Sequence, residues 1–454
     1  MIKFIKKNGG GIFTELSEGA KKVIEMLEEA GYEAFAVGGC VRDSLLGKKP
    51  FDFDVTTSAS PEEMKEVFRN EHVIETGIKH GTLTVLINKE PVETTSFRVE
   101  KGYSDNRRPE KVEFVRSLSE DLSRRDFTIN ALAYNEKTGI VDLFGGISDL
   151  EHGVIRCVGN PDKRFNEDAL RIMRALRFAS VLGFEIEEET AVSIKRNCGL
   201  LNNISSERIS SELSKLLCGK NAAKILLEHP EPFFVIIPEL SVLRGFDQRH
   251  FRHHLDAFGH TAAVLEAVPP VLELRLAALL HDIAKPLCQT VDENGTGHYY
   301  GHAQIGAKLS EEILTRLKFD NETKKAVFEL VSRHENRFDA EPKAIKRLLR
   351  KIGADGFERL LCLMEADEHG KREEFRFPEN KFAEFRKIAA EIIEKEECFS
   401  LKNLAIGGKD LIMLGFVPGP EIGMVLEHLL DSVMDGKLPN EKNPLLDEAK
   451  KFIK

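Results

Sequence analysis

Apolar positions recur at helical spacing through residues 18–30, EGAKKVIEMLEEA, and stop before Gly31, which predicts an opening helix. From Tyr32 to Val115 the period shortens. YEAFAVGG, FDFDVTT, GTLTVLI, VETTSFRV and KVEFV are β-rich runs broken by Gly, Pro and Asn, with one helix-like insert, PEEMKEVF. A small α/β head is expected there. After Val154 the spacing is helical almost throughout, with starts expected at Asn166, Ser205 and Thr261 and breaks at Pro230 to Pro232, Pro269 and Pro270, and Pro286. The expected fold class is therefore α+β, an N-terminal α/β head followed by largely all-α segments. No internal repeat or low-complexity tract interrupts this pattern.

Composition narrows the partners. The 454 residues, 42% hydrophobic, suffice for several cores and suggest about three domains. With 65 basic and 75 acidic side chains the net charge is -10, which excludes a uniformly basic coat for nucleic acid but leaves room for local patches. Two strips stand out: Arg156 to Arg177 has six basic and three acidic residues, and Arg333 to Lys351 has seven and three. They read either as solvated helix faces or as selective phosphate-binding surfaces. The seven cysteines are scattered and form no C-x-x-C, against both a disulfide framework and a cysteine zinc site. The opening MIKFIKKNGGGIF carries no apolar core of signal-peptide length, and no run approaches the roughly 20 apolar residues of a membrane helix. A soluble, cytoplasmic chain with no membrane partner is expected.

Candidate chemistry begins in FDFDVTT. Strand alternation sets Phe51, Phe53 and Val55 on one face and Asp52, Asp54 and Thr56 on the other, with about 7 Å between the two carboxylate positions. Such a pair can converge on divalent ions, and its oxygen-only ligands favour magnesium over zinc. Two ions roughly 4 Å apart would clamp the attacking and leaving oxygens of a phosphoryl transfer. Alternating acids on a half-exposed strand are the plain alternative. Upstream, Val37-Gly38-Gly39-Cys40-Val41-Arg42-Asp43 leads from a strand through two glycines into a helix, where backbone N–H groups can approach phosphate and Arg42 adds charge.

GGCVRD, DFD, the run from TGIKHGT through TTSFRVEKGYSDNRRPEKVEFV to EDLSRRDFTINAL, and NEDALRIMRALRF occur in that order. Together they resemble the class II nucleotidyltransferases, specifically the bacterial tRNA CCA-adding enzymes, over about residues 20–240. GGKDLIMLGFVPGPEIGMVLEHLLDSVMDGKLPN resembles the tail of the same branch. The resemblance implies a polymerase β-type head at 1–155, a helical neck with nucleotide-selecting and RNA-binding residues at 156–245, and a tRNA-binding tail at 376–454. Carried onto matching positions, Gly39 and Arg42 contact the triphosphate, Asp52 and Asp54 hold the metals, and Arg125 contacts the nucleotide. In NEDALRIMRALRF, Asn166 is read as an N-cap, with Asp168, Arg171, Arg174 and Arg177 at steps of three along one ridge. The resemblance assigns base recognition to Asp168 and Arg171.

That recognition has a physical basis. Cytosine and adenine each present an amino donor beside a ring-nitrogen acceptor, whereas guanine and uracil present a ring N–H beside a carbonyl. A carboxylate and a guanidinium together match the first pattern and mispair with the second, at about 1 to 3 kcal/mol per unsatisfied group. The polar segment Val99 to Pro109 resembles the family's flexible loop for adding the terminal A, against a plain surface hairpin. Glu93 is either a third metal carboxylate or a solvated strand acid.

Downstream, His260, His281-Asp282 in LRLAALLHDIAKP, His302, His334 and Asp367 form an ordered series that resembles the HD phosphohydrolase domain, over about residues 246–375. Mixed nitrogen and oxygen ligands suit a transition metal that activates water. The alternative is a fold that retains them as buried polar groups. In the second basic strip, Arg333, Lys343, Lys346, Arg347 and Arg350 are candidate RNA contacts. The leading expectation is a Mg2+-dependent, template-independent enzyme that adds CCA to tRNA from CTP and ATP. An A-adding enzyme or poly(A) polymerase on the same head, and an HD-type phosphohydrolase acting on RNA ends or cyclic phosphates, are the alternatives. No feature identifies a protein partner or an oligomeric state.

Overall fold

The computed structural model describes residues 16–103, 109–336, 340–378, 380–394 and 401–453. The chain divides into two compact units, Met1–Ser241 and Val242–Lys454.

In the first unit the strands are β1 (Ala34–Val37), β2 (Asp54–Thr57), β3 (His72–Ile74), β4 (Thr82–Ile87), β5 (Glu90–Ser96), β6 (Arg98–Tyr103), β7 (Pro109–Phe114), β8 (Leu132–Asn135) and β9 (Gly139–Asp142). Seven of them form one sheet in the order β3-β4-β5-β2-β1-β8-β9, while β6 and β7 pair as a separate antiparallel hairpin. The sheet is antiparallel except where β2 runs parallel to β5. Its internal strand β1, AFAV, is buried along its whole length, as expected of a continuous apolar run between two neighbours. Helix α1 (Glu18–Glu29) starts where the Ser17 side chain accepts the Ala20 N–H, and it buries Ala20, Val23, Ile24 and Leu27. Helix α2 (Gly39–Leu45) follows β1 directly.

The expected strand over FDFDVTT is shorter than its alternation suggests. Val37, the last residue of β1, pairs with Asp54, so the residues before Asp54 have no β1 partner, and Phe51 is fully exposed instead of facing a core.

The neck contains α3 (Pro161–Glu167), α4 (Leu170–Leu182) and α5 (Ser206–Leu217), with α4 packed against α5. The start expected at Asn166 is displaced. Asn160 accepts the Lys163 N–H and Pro161 occupies the first turn, so the helix begins six residues earlier and Asn166 lies inside it, donating to the Asp162 carbonyl. Asp168 is extended (φ -140°) and breaks the run, its Oδ1 accepting the Leu170 N–H at 3.1 Å. The ridge of four is therefore a ridge of three on α4, preceded by Asp168. Ser205 does sit at a helix start.

The second unit contains α6 (Ala257–Ala267), α7 (Leu272–Leu280), α8 (His302–Arg316), α9 (Asn321–Arg333), α10 (Pro342–His369), α11 (Asn380–Glu394), α12 (Gly408–Leu414), α13 (Pro420–Met434) and α14 (Lys442–Lys450). Thr261 lies a turn inside α6, because Asp256 supplies the cap by accepting the Gly259 N–H. Helix α10 is interrupted at Gly353, whose φ of +71° only glycine adopts readily. Leu404, Leu411, Leu429, Leu430 and Leu445 form a core among α12, α13 and α14. Among the described residues no helix is long and apolar enough to cross a membrane.

Candidate active site and a second polar cluster

The head gathers its chemistry where β1, β2 and β5 lie side by side. Gly38 turns the chain from β1 into α2 with φ +76° and ψ -125°, and a Cβ there would approach Arg125 Nη1 to 3.0 Å. One turn on, Arg42 is buried, donating from Nη1 to Asn130 Oδ1 at 2.7 Å and from Nε to Asp43 Oδ1 at 2.9 Å. Asp54 opens β2 in register with Glu93 on β5. Packing around its carboxyl, then the like charges of Asp52 and Glu93, push its pKa up to about 6 despite Arg125. Although Asp54 is exposed along much of its surface, this crowding is felt at the carboxyl itself. Glu93 is thus an electrostatic neighbour of the pair, which the sequence left open. Arg125 lies 3.5 Å from Asp121 through Nη2, while its buried Nε has no hydrogen-bond partner.

The neck adds a ladder of arginines. Asp168 accepts from Arg208 Nη2 at 2.8 Å. Arg171 donates to Glu167 Oε2 at 2.7 Å and to the carbonyls of Arg164 and Arg124 at 3.2 and 2.9 Å. Asp168 and Arg171 are thus oriented by separate partners rather than by each other. Arg174 donates to Asp126 Oδ2 at 2.8 Å, and Arg177 lies 2.8 Å from Glu212. Burial opposes ionisation of Asp126, but Arg174 and a hydrogen bond from Asn130 hold its pKa down at about 2. Arg208, Asp126 and Asn130 were not singled out from the sequence. Asp126 and Asn130 lie inside the RRDFTINAL motif, which was the available signal; Arg208 carried none.

Comparison with known proteins bears on this arrangement. Residues 34–156 match the family described as "Poly A polymerase head domain", residues 183–242 "Probable RNA and SrmB- binding site of polymerase A", and residues 302–449 tRNA nucleotidyltransferase domain 2. The chain is 35% identical to a CCA-adding enzyme of Limosilactobacillus reuteri, over 96% of this chain and 97% of that one. A CCA-adding enzyme of Lactiplantibacillus plantarum is 36% identical over 95% and 96%. The chain belongs to the CCA-adding enzyme family. The solved CCA-adding enzyme of Bacillus stearothermophilus in complex with CTP is 30% identical, with a TM-score of 0.69 over 95% of this chain and 96% of that one. CCA-adding enzymes are divalent-metal-dependent nucleotidyltransferases.

The second unit of this family member holds another polar cluster. His260 on α6, His281 and Asp282 after α7, His302 at the start of α8, His334 after α9 and Asp367 on α10 converge. Asp282 Oδ2 lies 3.2 Å from His281 Nε2 and 3.5 Å from His260 Nε2, and its Oδ1 lies 3.3 Å from His302 Nε2 and 3.8 Å from His334 Nε2. Asp367 Oδ1 is 2.9 Å from His260 Nε2. Each imidazole faces a backbone carbonyl through Nδ1: Gly370, Ala278, Tyr299 and Val331, at 3.2, 2.9, 2.9 and 2.7 Å. With Nδ1 of each ring turned to a carbonyl, the Nε2 atoms are left facing the two carboxylates and one another, those of His302 and His334 standing 3.3 Å apart. Burial and the neighbouring His281 push the His334 pKa down to about 3, whereas at His281 and His302 burial is outweighed by the Asp282 carboxylate, which holds theirs up. Burial opposes the charge of Asp282, yet His281 and Lys285 hold its pKa well below the usual carboxylate range. His281 Nε2 and Asp282 Oδ2 are buried without hydrogen-bond partners. Among the described residues these are the sets that bring three ligand atoms within 4.8 Å of one another; the head carboxylates do not. The cluster opens on a cavity of 210 Å³ also lined by Phe251, Arg252, His253, Lys285, Tyr299 and Lys371.

The basic strip of the second unit faces acids of α13 and of its C-cap, Asp435. Lys343 and Arg347 approach Asp435 at 2.7 and 3.4 Å, and Arg350 pairs with Asp431 and Glu427. Arg333 instead donates to the Glu329 carbonyl and Ser332 Oγ. Lys346 is half-buried on the same helix. In the Val99 to Pro109 segment, Ser104 to Arg108 lie outside the described residues, and their flanks form the β6–β7 hairpin.

Proposed function

We propose that this chain builds and repairs the 3′-terminal CCA of tRNA from CTP and ATP, without a nucleic-acid template, releasing pyrophosphate. What carries the reading is likeness to CCA-adding enzymes along nearly the full chain, one of them solved with CTP.

The oxygen-only set of Asp52, Asp54 and Glu93, with more negative charge than Arg125 offsets, fits a hard divalent cation, and we assign it Mg2+ held by Asp52 and Asp54. When bound, such ions neutralise charge on the triphosphate and acidify the tRNA 3′ hydroxyl. The protein's own part is placement. Gly39, at the start of α2, and Arg42 and Arg125 are assigned to the triphosphate. The 3′ oxygen bonds to the α-phosphorus as the α–β bridging bond breaks, and the hydroxyl proton is released. Asp168 keeps carboxylate lone pairs beyond those used by Arg208 and Leu170, so it can accept the amino group of C or A while Arg171 donates to the ring nitrogen. Guanine and uracil meet the reversed pattern and are refused.

The test uses tRNA transcripts ending at the discriminator base, after one C and after both Cs. Wild type adds CCA, CA and A in turn, and Asp52→Asn or Asp54→Asn lowers each by about a thousandfold with the fold retained by circular dichroism. Full activity in both variants overturns the metal assignment; A added only to the last transcript, or long A tracts, overturns the CCA reading.

A second reading concerns the histidine cluster. The facing Nε2 atoms of His302 and His334 and the orphaned His281 Nε2 and Asp282 Oδ2 support a bound transition metal and a phosphohydrolase activity there. Purified protein should bind Mn2+, Co2+ or Ni2+ by calorimetry, and Asp282→Asn should remove that binding while CCA addition persists. Equal binding in wild type and variant sinks it.

A further inference from the structure

We propose that Phe178 is a positioning residue for nucleotide binding: its ring is the shared surface on which Arg42 of the head and Arg174 and Arg177 of the neck are held ready for a triphosphate. The guanidinium carbons of Arg42, Arg174 and Arg177 stand 5.0, 5.3 and 4.1 Å from the ring centroid. The ring is 6% exposed and fixed edge-on by Phe127, with centroids 5.8 Å apart at 81°. Each arginine is tied elsewhere by a different partner, Asp43 and Asn130 for Arg42, Asp126 for Arg174 and Glu212 for Arg177. Phe178 is what the three have in common.

Three like charges gathered around one ring repel each other, and that repulsion opposes the gathering a triphosphate requires. An aromatic face carries negative charge density and attracts guanidinium groups, whereas an aliphatic side chain of similar bulk does not. The ring therefore offsets part of the repulsion before nucleotide arrives, and the arginines need not be assembled when it binds. Arg42 comes from α2 and the other two from α4, the helix that also carries Arg171. Phe178 accordingly links the triphosphate end of the pocket to the base-selecting end. The effect belongs to binding, so it is read in KM rather than kcat.

The inference rests on the proposed reading that Arg42 faces the triphosphate. Phe178→Leu should raise KM for both CTP and ATP about tenfold with kcat within about twofold. Phe233→Leu, at a buried phenylalanine of another helix (Pro230–Ile236) with none of these arginines over its ring, should lower the melting temperature without moving KM. Incorporation of mono-, di- and trifluorophenylalanine at position 178 keeps the shape and drains the ring face, so KM should climb stepwise; this series decides the matter if the leucine variant does not fold. Unchanged KM across the fluorinated series, or an equal rise in Phe233→Leu, overturns the role of Phe178. Arg42→Ala separates the two levels: unchanged KM in that variant means the triphosphate reading itself has failed, whereas a raised KM beside an inert fluorinated series means only the Phe178 inference has.

Discussion

Asp126 shows how one buried carboxylate can serve a site it does not touch. Its Oδ1 accepts from the Phe127 N–H at 2.8 Å and from Asn130 Nδ2 at 3.1 Å, and its Oδ2 from Arg174 Nε at 2.8 Å. Asn130 in turn accepts from Arg42, so one acid orients an arginine of each segment. A folded-state pKa of about 2 against an ordinary value near 3.8 means the charged form is favoured by folding, by about 2 kcal/mol. Because the folded pKa is depressed, that stability is fully present above about pH 4 and is lost as pH falls toward 2. Urea denaturation should therefore find Asp126→Asn less stable than wild type by about 2 kcal/mol at pH 7, with the gap narrowing below pH 4. A gap that is the same at pH 3 and pH 7 contradicts the ion-pair account. Position 126 was visible in the sequence only as part of a motif; its task depends on Arg174, 48 residues away, and no local pattern encodes that.

At the scale of elements, the β1–α2 junction carries the sharpest backbone demand. Gly38 combines a positive φ with a close approach to Arg125, so Gly38→Ala should cost about 1 to 2 kcal/mol in a urea melt and should also raise the CTP KM by displacing Arg125. Stability loss with an unchanged KM would mean that Arg125 moves aside freely. The same junction explains what the chain's pattern conveyed and what it did not. Alternation in GTLTVLI marked β4 with its inside and outside faces, because one residue's burial there depends on its own strand. In FDFDVTT the alternation extended past the point where β1 stops, since strand length is set by the partner. The run NEDALRIMRALRF looked like one helix. It is cut at Asp168, which Arg208 holds from 40 residues away. The histidines were legible as an ordered series, and their convergence on Asp282 requires the packing of α6 to α10.

For the molecule as a whole, a charge of -10 must be reconciled with a polyanionic substrate. The second unit shows one way. The cations of α10 are present but stand against acids, Lys343 and Arg347 beside Asp435, and Arg350 beside Asp431 and Glu427; Arg347, Arg350, Lys351 and Asp431 line a groove of 580 Å³. Arg347 is 62% exposed at the side chain and Asp431 65%, so these pairs are screened and each contributes at most about 1 kcal/mol. A phosphate can displace them at small cost, and dissociation restores them, which suits a substrate that must be released after three additions. If α10 lies on the tRNA path, reversing Arg347 and Arg350 to Glu should weaken tRNA binding more than tenfold at low salt and flatten the slope of log K against log salt by about two. Neutralising the opposing acids, Asp431→Asn with Asp435→Asn, should do the reverse, tightening binding by freeing cations already in place. Filter binding across a salt series distinguishes the cases: affinity and slope unchanged in both double variants would remove α10 from the RNA path, and tightening in the second without weakening in the first would reduce its part to net charge alone.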